Sequence, residues 1–209
     1  MELVNELSDE LFQSVHDLAL SRLSSSKDRA YEIGMHTARM NINGDIRRTI
    51  IPPLYVFAGK MTENGVVSTD IDYRIVYNNQ TFPMGHVYGG SGHLCLGSIP
   101  VPRFVDIHSL MTPLETLFLY NDRNLGHGNP QLDITNEMHE KVCEFARIHQ
   151  LTVPASKNYL VDDTVWVLGA ELLEKNDTNT AYELAEKLYQ IIFKERKSEW
   201  HLFLRRNIP

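Results

Sequence analysis

The chain has 209 residues, with 20 Lys+Arg against 27 Asp+Glu for a net charge of −7 at pH 7, and 43 % of its residues are hydrophobic. That is globular composition, long enough for one core with additions. An acidic chain with no dense Lys/Arg block argues against binding nucleic acid or an anionic membrane surface, and two cysteines exclude a disulfide scaffold. The opening residues MELVNELSDE lack the basic and apolar stretches of a signal peptide. No apolar run reaches the roughly 18–20 residues that span a bilayer. A cytoplasmic protein with reduced thiols is expected.

Along the chain, Leu7, Leu11, Val15, Leu18 and Leu23 recur at helical spacing, widened by Phe12 and Ala19. They predict an amphipathic helix over about 8–23, capped by Ser8 with Asp9 and Glu10 in its first turn. Ser24, Ser25 and Ser26 end it in a loop. Residues 31–42, 50–60 and 71–78 are rich in Tyr, Ile, Val and Phe, separated by the turn signals Asn43-Gly44-Asp45 and Glu63-Asn64-Gly65. They predict an antiparallel meander, in which Pro52 and Pro53 put the start of the second strand at an irregularity or an edge.

Residues 82–102, FPMGHVYGGSGHLCLGSIPVP, carry too many Gly and Pro for a regular element. Thr112-Pro113-Leu114-Glu115 then starts a helix running to about Tyr120: a Thr cap, Pro in the first helical position, Glu three residues after the cap. A polar loop spans 121–130, and a further helix sets Met138, Val142, Phe145 and Ala146 on one face. Val161 to Leu168 reads as a short strand, and 180–197 as an amphipathic helix on Ala181, Leu184, Leu188, Ile191 and Ile192. Within that helix, Lys194-Glu195-Arg196-Lys197 reads as a solvated C-terminal end. Helix, antiparallel sheet, irregular loop and helices make an α+β fold.

Cys95 lies in the irregular segment among Gly89, Gly90, Gly92 and Gly97, which let another chain approach closely. In an extended stretch His93 shares a face with Cys95, and an imidazole there favours the thiolate or moves a proton. The competing reading is a small buried hydrophobe in a tight turn.

The order Phe82-Pro83, His86-Val87-Tyr88, Gly92, Cys95-Leu96-Gly97 and Pro100 continues with the helix Pro113-Leu114-Glu115-Thr116-Leu117-Phe118 and the loop Gly126-His127-Gly128-Asn129. It resembles bacterial ubiquitin-conjugating-like proteins, in particular prokaryotic ubiquitin-conjugating family D, the group that includes PRTRC system protein B. The likeness covers about residues 50–130, with Ile51-Pro52-Pro53-Leu54 a looser match, and is dense over 82–130. It implies a single domain: an N-terminal helical extension over 1–30, a ubiquitin-conjugating-like core over 31–130 and a C-terminal helical part over 131–209. It further implies that Cys95 accepts a ubiquitin-like protein as a thioester from an adenylating activating enzyme, then passes it to an amine of an acceptor protein. No cofactor or metal is needed.

Eukaryotic ubiquitin-conjugating enzymes carry His-Pro-Asn shortly before the cysteine, where this chain has His86-Val87-Tyr88 and no Asn. If an amide is required, Asn121, Asn124 and Asn129 are the candidates to supply it from beyond the helix. His127 is the general-base candidate of that loop and Asp122 a second; the bland alternative for Gly126-His127-Gly128-Asn129 is a helix C-cap and turn. The missing Asn leaves a second reading open, a catalytically silent module that binds a ubiquitin-like protein or scaffolds a complex. Antiphage defence and plasmid maintenance both suit such a protein, and the residues do not choose between them.

Other constellations are weaker. His86, His93, Cys95 and His127 match no zinc spacing, and His139 with Cys143, four apart on one helix, suits a packed interior better than a metal. Gly89-Gly90-Ser91-Gly92 lacks the Lys-Ser/Thr ending of a phosphate loop. Ser91 with His86 or His93 lacks the strand–nucleophile–helix setting of a hydrolase.

Overall fold

Runs rich in β-branched and aromatic residues between residues 30 and 81 pair as antiparallel strands. The computed structural model describes residues 4–6, 23–24, 30–63, 66–77, 80–81, 114–116, 118–119, 135–155 and 164–207. It forms two compact units, Met1–Leu132 and Asp133–Pro209. The first is built on strands β1 (Val4–Glu6), β2 (Leu23–Ser24), β3 (Ala30–Ile33), β4 (His36–Ile42), β5 (Asp45–Ile51), β6 (Leu54–Glu63), β7 (Val66–Tyr77) and β8 (Gln80–Thr81). The second contains helices α1 (Asn136–Ile148), α2 (Thr164–Lys175) and α3 (Thr178–Asn207). The architecture is mixed α+β.

In the first unit β1, β3, β6, β7 and β8 lie side by side in one sheet, and β2 pairs with β6 beyond the end of β3. The consecutive strands β6, β7 and β8 form an antiparallel meander; β6 and β7 overlap the runs expected over 50–60 and 71–78, and β8 was not expected. Leu23 and Ser24, expected at a helix end and in a loop, form a strand instead, Leu23 opposite Met61 and Ser24 opposite Lys60. Pairing with the long β6 outweighs the local helical spacing there. The rest of the expected N-terminal helix, residues 8–22, lies outside the described residues.

The strand expected over 31–42 is broken, and the break has a cause on the strand opposite. Ile33 pairs with Leu54 in the large sheet, and His36 pairs with Ile51 in the two-stranded sheet of β4 and β5. The register is the same on both sides, so Gly34 and Met35 stand opposite Pro53 and Pro52. Prolines have no N–H to give a ladder. One long hairpin is thereby divided into two sheets without any slip. Its tip is the two-residue turn Asn43-Gly44, with φ of 55° and 93°. Both values are left-handed, as a type I′ turn requires, and Asn41 Oδ1 accepts from the Gly44 N–H at 2.9 Å.

Burial on β4 alternates. His36, Ala38, Met40 and Ile42 are buried, while Arg39 is exposed and Thr37 and Asn41 are half-buried. Ile33, Ile51, Leu54 and Val56 are buried as well, as are Leu114 and Phe118 from the helical residues 114–116 and 118–119, while Ile50, opposite Thr37, is covered on the other face of the hairpin. Removing a ring as fully buried as Phe118 costs about 3–5 kcal/mol, against about 1 kcal/mol for an ordinary hydrogen bond. Apolar burial therefore fixes where this helical stretch lies.

In the second unit, α1 starts where Thr135 Oγ1 accepts from the Met138 N–H at 3.1 Å. Its buried residues are Met138, Val142, Cys143, Phe145 and Ala146, which includes the face expected from the sequence. It ends in a Schellman motif. The Leu151 N–H donates to Ala146 O at 2.7 Å and the Gln150 N–H to Arg147 O at 3.2 Å, with Gln150 left-handed at φ 56°. Glu171 of α2 then holds the outgoing chain, accepting from the Thr152 N–H at 2.7 Å and from the Thr152 hydroxyl at 2.5 Å. Lys175 Nζ donates to Gln150 O.

The short strand expected over Val161–Leu168 is not formed: residues 164–168 belong to α2, and 161–163 lie outside the described residues. Val165, Trp166, Leu168, Gly169, Ala170 and Leu172 are all buried. A helix covered on nearly every side shows no apolar stripe, and Val-Trp-Val-Leu then reads locally as strand. Asp177 caps α3, its carboxylate accepting from the Asn179 and Thr180 N–H groups and, at 2.6 Å, from the Thr180 hydroxyl. The Thr180 hydroxyl and N–H, with a smaller share from Asn179, hold that carboxyl below its usual range. The amphipathic helix expected over 180–197 runs from Thr178 to Asn207, so Lys194–Lys197 lies within it and not at its end.

Gln150 occupies a position where glycine carries no steric penalty. Gln150→Gly should raise the stability of this unit by about 0.5–1 kcal/mol. Urea unfolding followed by tryptophan fluorescence reads it out, since Trp166 and Trp200 both lie in the second unit. A loss of stability would show that the motif is not under left-handed strain.

Candidate functional site

His36 is the first side chain beyond the proline break, and it is 8 % exposed. Its Nδ1–H donates to Gly34 O at 2.8 Å, and Pro53 opposite Gly34 has no N–H to offer. In the neutral ring that bond fixes the tautomer with a bare Nε2, which is buried and, among the described residues, has no hydrogen-bond partner. The ring lies 6.4 Å from that of Phe118 at an angle of 43°, within the range of a tilted aromatic pair. His36 thus ties the break in the hairpin to the helical residues 114–116 and 118–119. Burial lowers its pKa, opposed by the Gly34 bond and by the negative charge of Glu115. The sequence held a signal for this residue, a histidine two positions after Gly34 with Pro-Pro on a neighbouring strand, but its meaning depends on the cross-strand register.

The stretch 82–113 lies between two described elements. Before it, β8 pairs with β7, with Thr81 opposite Val76 and Gln80 opposite Tyr77. After it, Leu114 and Phe118 are buried in the core of the first unit. The helical residues 114–116 and 118–119 agree with the helix start read at Thr112-Pro113-Leu114-Glu115. Cys95, His93, Asp122, His127 and Asn129 all lie outside the described residues, as do His86, Asn121 and Asn124.

The other thiol is described in full. Cys143 is 5 % exposed on the buried face of α1. His139 Nε2 lies 3.3 Å from Pro154 O and 3.5 Å from Cys143 Sγ, and the thiol is 3.7 Å from the same carbonyl. A carbonyl oxygen has two lone pairs, so one Pro154 O accepts from both the imidazole N–H and the S–H. Both side chains are used in fastening the chain after α1 back onto the helix. This is the packed interior expected of the pair. Among the described residues no group of three His, Cys, Asp or Glu is placed to hold a metal ion, and no helix is long and apolar enough to cross a membrane.

No protein-family model, no curated protein and no solved structure matches this chain.

The depressed His36 pKa gives a pH dependence of definite sign. The fold favours the neutral ring, and the unfolded chain takes up a proton nearer the ordinary value of 6.5. The unfolded state therefore binds more protons in the window below 6.5, and the His36 contribution is lost as pH falls through it. Amide hydrogen exchange in β4 and β5 should quicken between about pH 7.5 and pH 5.5, after correction for intrinsic rates. His36→Asn, which keeps a donor near Nδ1 but does not titrate, should remove that dependence. An unchanged pH profile in this variant would contradict the assignment.

Proposed function

We propose that the protein is a conjugating-type transferase on a ubiquitin-conjugating-like core. Cys95 receives the C-terminus of a ubiquitin-like protein from an adenylating activating enzyme and delivers it to an amine of an acceptor protein. The Cys95 thiolate attacks the acyl carbon held on the activating enzyme and expels that enzyme's thiolate. The acceptor amine then attacks the new thioester, gives up a proton and expels the Cys95 thiolate. The thiol-to-thiol exchange is close to balanced in energy and the transfer to the amine is downhill, so an accessible sulfur and oriented partners matter more than strong acid–base power. His93, His127 and Asp122 are the candidates to move the proton, and Asn129 the candidate to stabilise the oxyanion.

The observation that supports this reading most is the order of elements. The antiparallel meander β6–β7–β8 runs directly into the Gly- and Pro-punctuated segment that holds Cys95, and a helical stretch anchored by Leu114 and Phe118 follows it. Burial of Cys143 supports it too, because it leaves Cys95 as the thiol available for acyl transfer. The absence of Asn from His86-Val87-Tyr88 favours a second reading, a catalytically silent module that binds a ubiquitin-like protein or scaffolds a bacterial antiphage or plasmid-associated complex.

Incubation with a competent activating enzyme, ATP and the ubiquitin-like protein separates the two readings. The transferase gives an adduct cleaved by thiol reductant, lost in Cys95→Ala, converted to a reductant-stable ester or lost in Cys95→Ser, and kept in Cys143→Ala. Failure to form an adduct, with the ubiquitin-like protein still bound, selects the silent module. A reductant-sensitive adduct that survives Cys95→Ala contradicts the role of Cys95.

A further inference from the structure

The outer face of the β4–β5 hairpin carries a charge arrangement opposite to that of the chain as a whole. Strand register puts Arg39 directly across from Arg48, and Asn41 across from Ile46. Both arginines are exposed, and Ile46 is 55 % exposed, while Ile50 further down the face is covered. Directly opposed residues on an antiparallel pair have Cβ atoms about 4.5–5.5 Å apart, and like charges there weaken the ladder. Among the described residues neither arginine has a carboxylate partner. Arg48 turns away from Arg39, its Nε and Nη2 donating to Thr37 Oγ1 at 3.1 and 2.7 Å. Those two bonds occupy one side of the guanidinium group, and among the described residues its other N–H groups have no acceptor.

We propose that this face, with Arg39 and Arg48 side by side next to Ile46, is a docking surface for an acidic segment of a partner protein. Two arginines directly opposed on the ladder, both exposed, match a pair of carboxylates on a partner segment. Ile46, two residues from Arg48 along the strand, offers an apolar contact at the edge of the charged pair. A protein partner is favoured over nucleic acid. Two arginines are few for a phosphate backbone, the chain carries −7 overall, and the neighbouring positions are Ile46 and Asn41, neither of them basic. The local positive charge instead steers a carboxylate-rich segment to one place on an otherwise repelling molecule. The inference stands apart from Cys95 and does not depend on its chemistry.

Fluorescence anisotropy with the full chain and a short fluorescein-labelled Glu/Leu peptide tests it, with a Gln/Leu peptide and a labelled DNA duplex as comparators. The Glu/Leu peptide should bind, more weakly as salt rises, and the Gln/Leu peptide should not. Arg39→Glu should weaken binding roughly tenfold or more. The same substitution places Glu opposite Arg48, so the unfolding midpoint should hold or rise, which separates lost docking from lost folding. No binding of the Glu/Leu peptide, equal binding of the Gln/Leu peptide, tighter binding of DNA, or undiminished binding by a folded Arg39→Glu variant would each overturn the proposal.

Discussion

The register of the long hairpin is carried across a stretch in which Pro52 and Pro53 offer no N–H to Gly34 and Met35, and the first unit is arranged around that gap. A continuous ladder would have made β3–β4 and β5–β6 into two long paired strands. The prolines end one sheet and start another without a one-residue slip, so the alternation that buries Ala38, Met40 and Ile42 survives. His36 occupies the first paired position beyond the gap, donates to Gly34 O and turns its ring toward Phe118. Buried apolar area supplies most of the stabilisation here, and the imidazole contributes direction. It ties the hairpin to the helical stretch that follows the cysteine segment.

That placement bears on the proposed chemistry. A thioester carrier needs its sulfur positioned for its partners, and the chain pairs in β8 before 82–113 and buries Leu114 and Phe118 after it. The two thiols have correspondingly different settings. Cys143 shares a carbonyl with His139 inside the helical unit and contributes to packing. Cys95 sits in a sequence rich in glycine, where a partner chain can come close.

Several elements were legible because their cause is local. Asn43-Gly44 announces a turn with two left-handed residues, and Met138, Val142, Phe145 and Ala146 announce a helix face. Leu114 and Phe118 are buried as a helix starting at Thr112-Pro113 requires. What was missed depends on partners far along the chain. Leu23 and Ser24 became a strand through pairing with β6, and Val165–Leu168 became helix because the second unit buries that segment almost all round. The importance of His36 follows only from knowing that Gly34 stands opposite Pro53. For the candidate site, the sequence names the residue types and their order around Cys95, and the described structure adds the two anchored ends of the segment.

The proposed transfer requires the two thiols to differ in kind, Cys143 kept for packing and Cys95 presented to partners. Brief alkylation of the native chain with iodoacetamide, followed by mass spectrometry of the peptides, tests it without any partner protein. Rapid modification of Cys95, with Cys143 labelled only after unfolding, is the expected result. Equal labelling of both, or a Cys95 that stays protected until the chain unfolds, would contradict it.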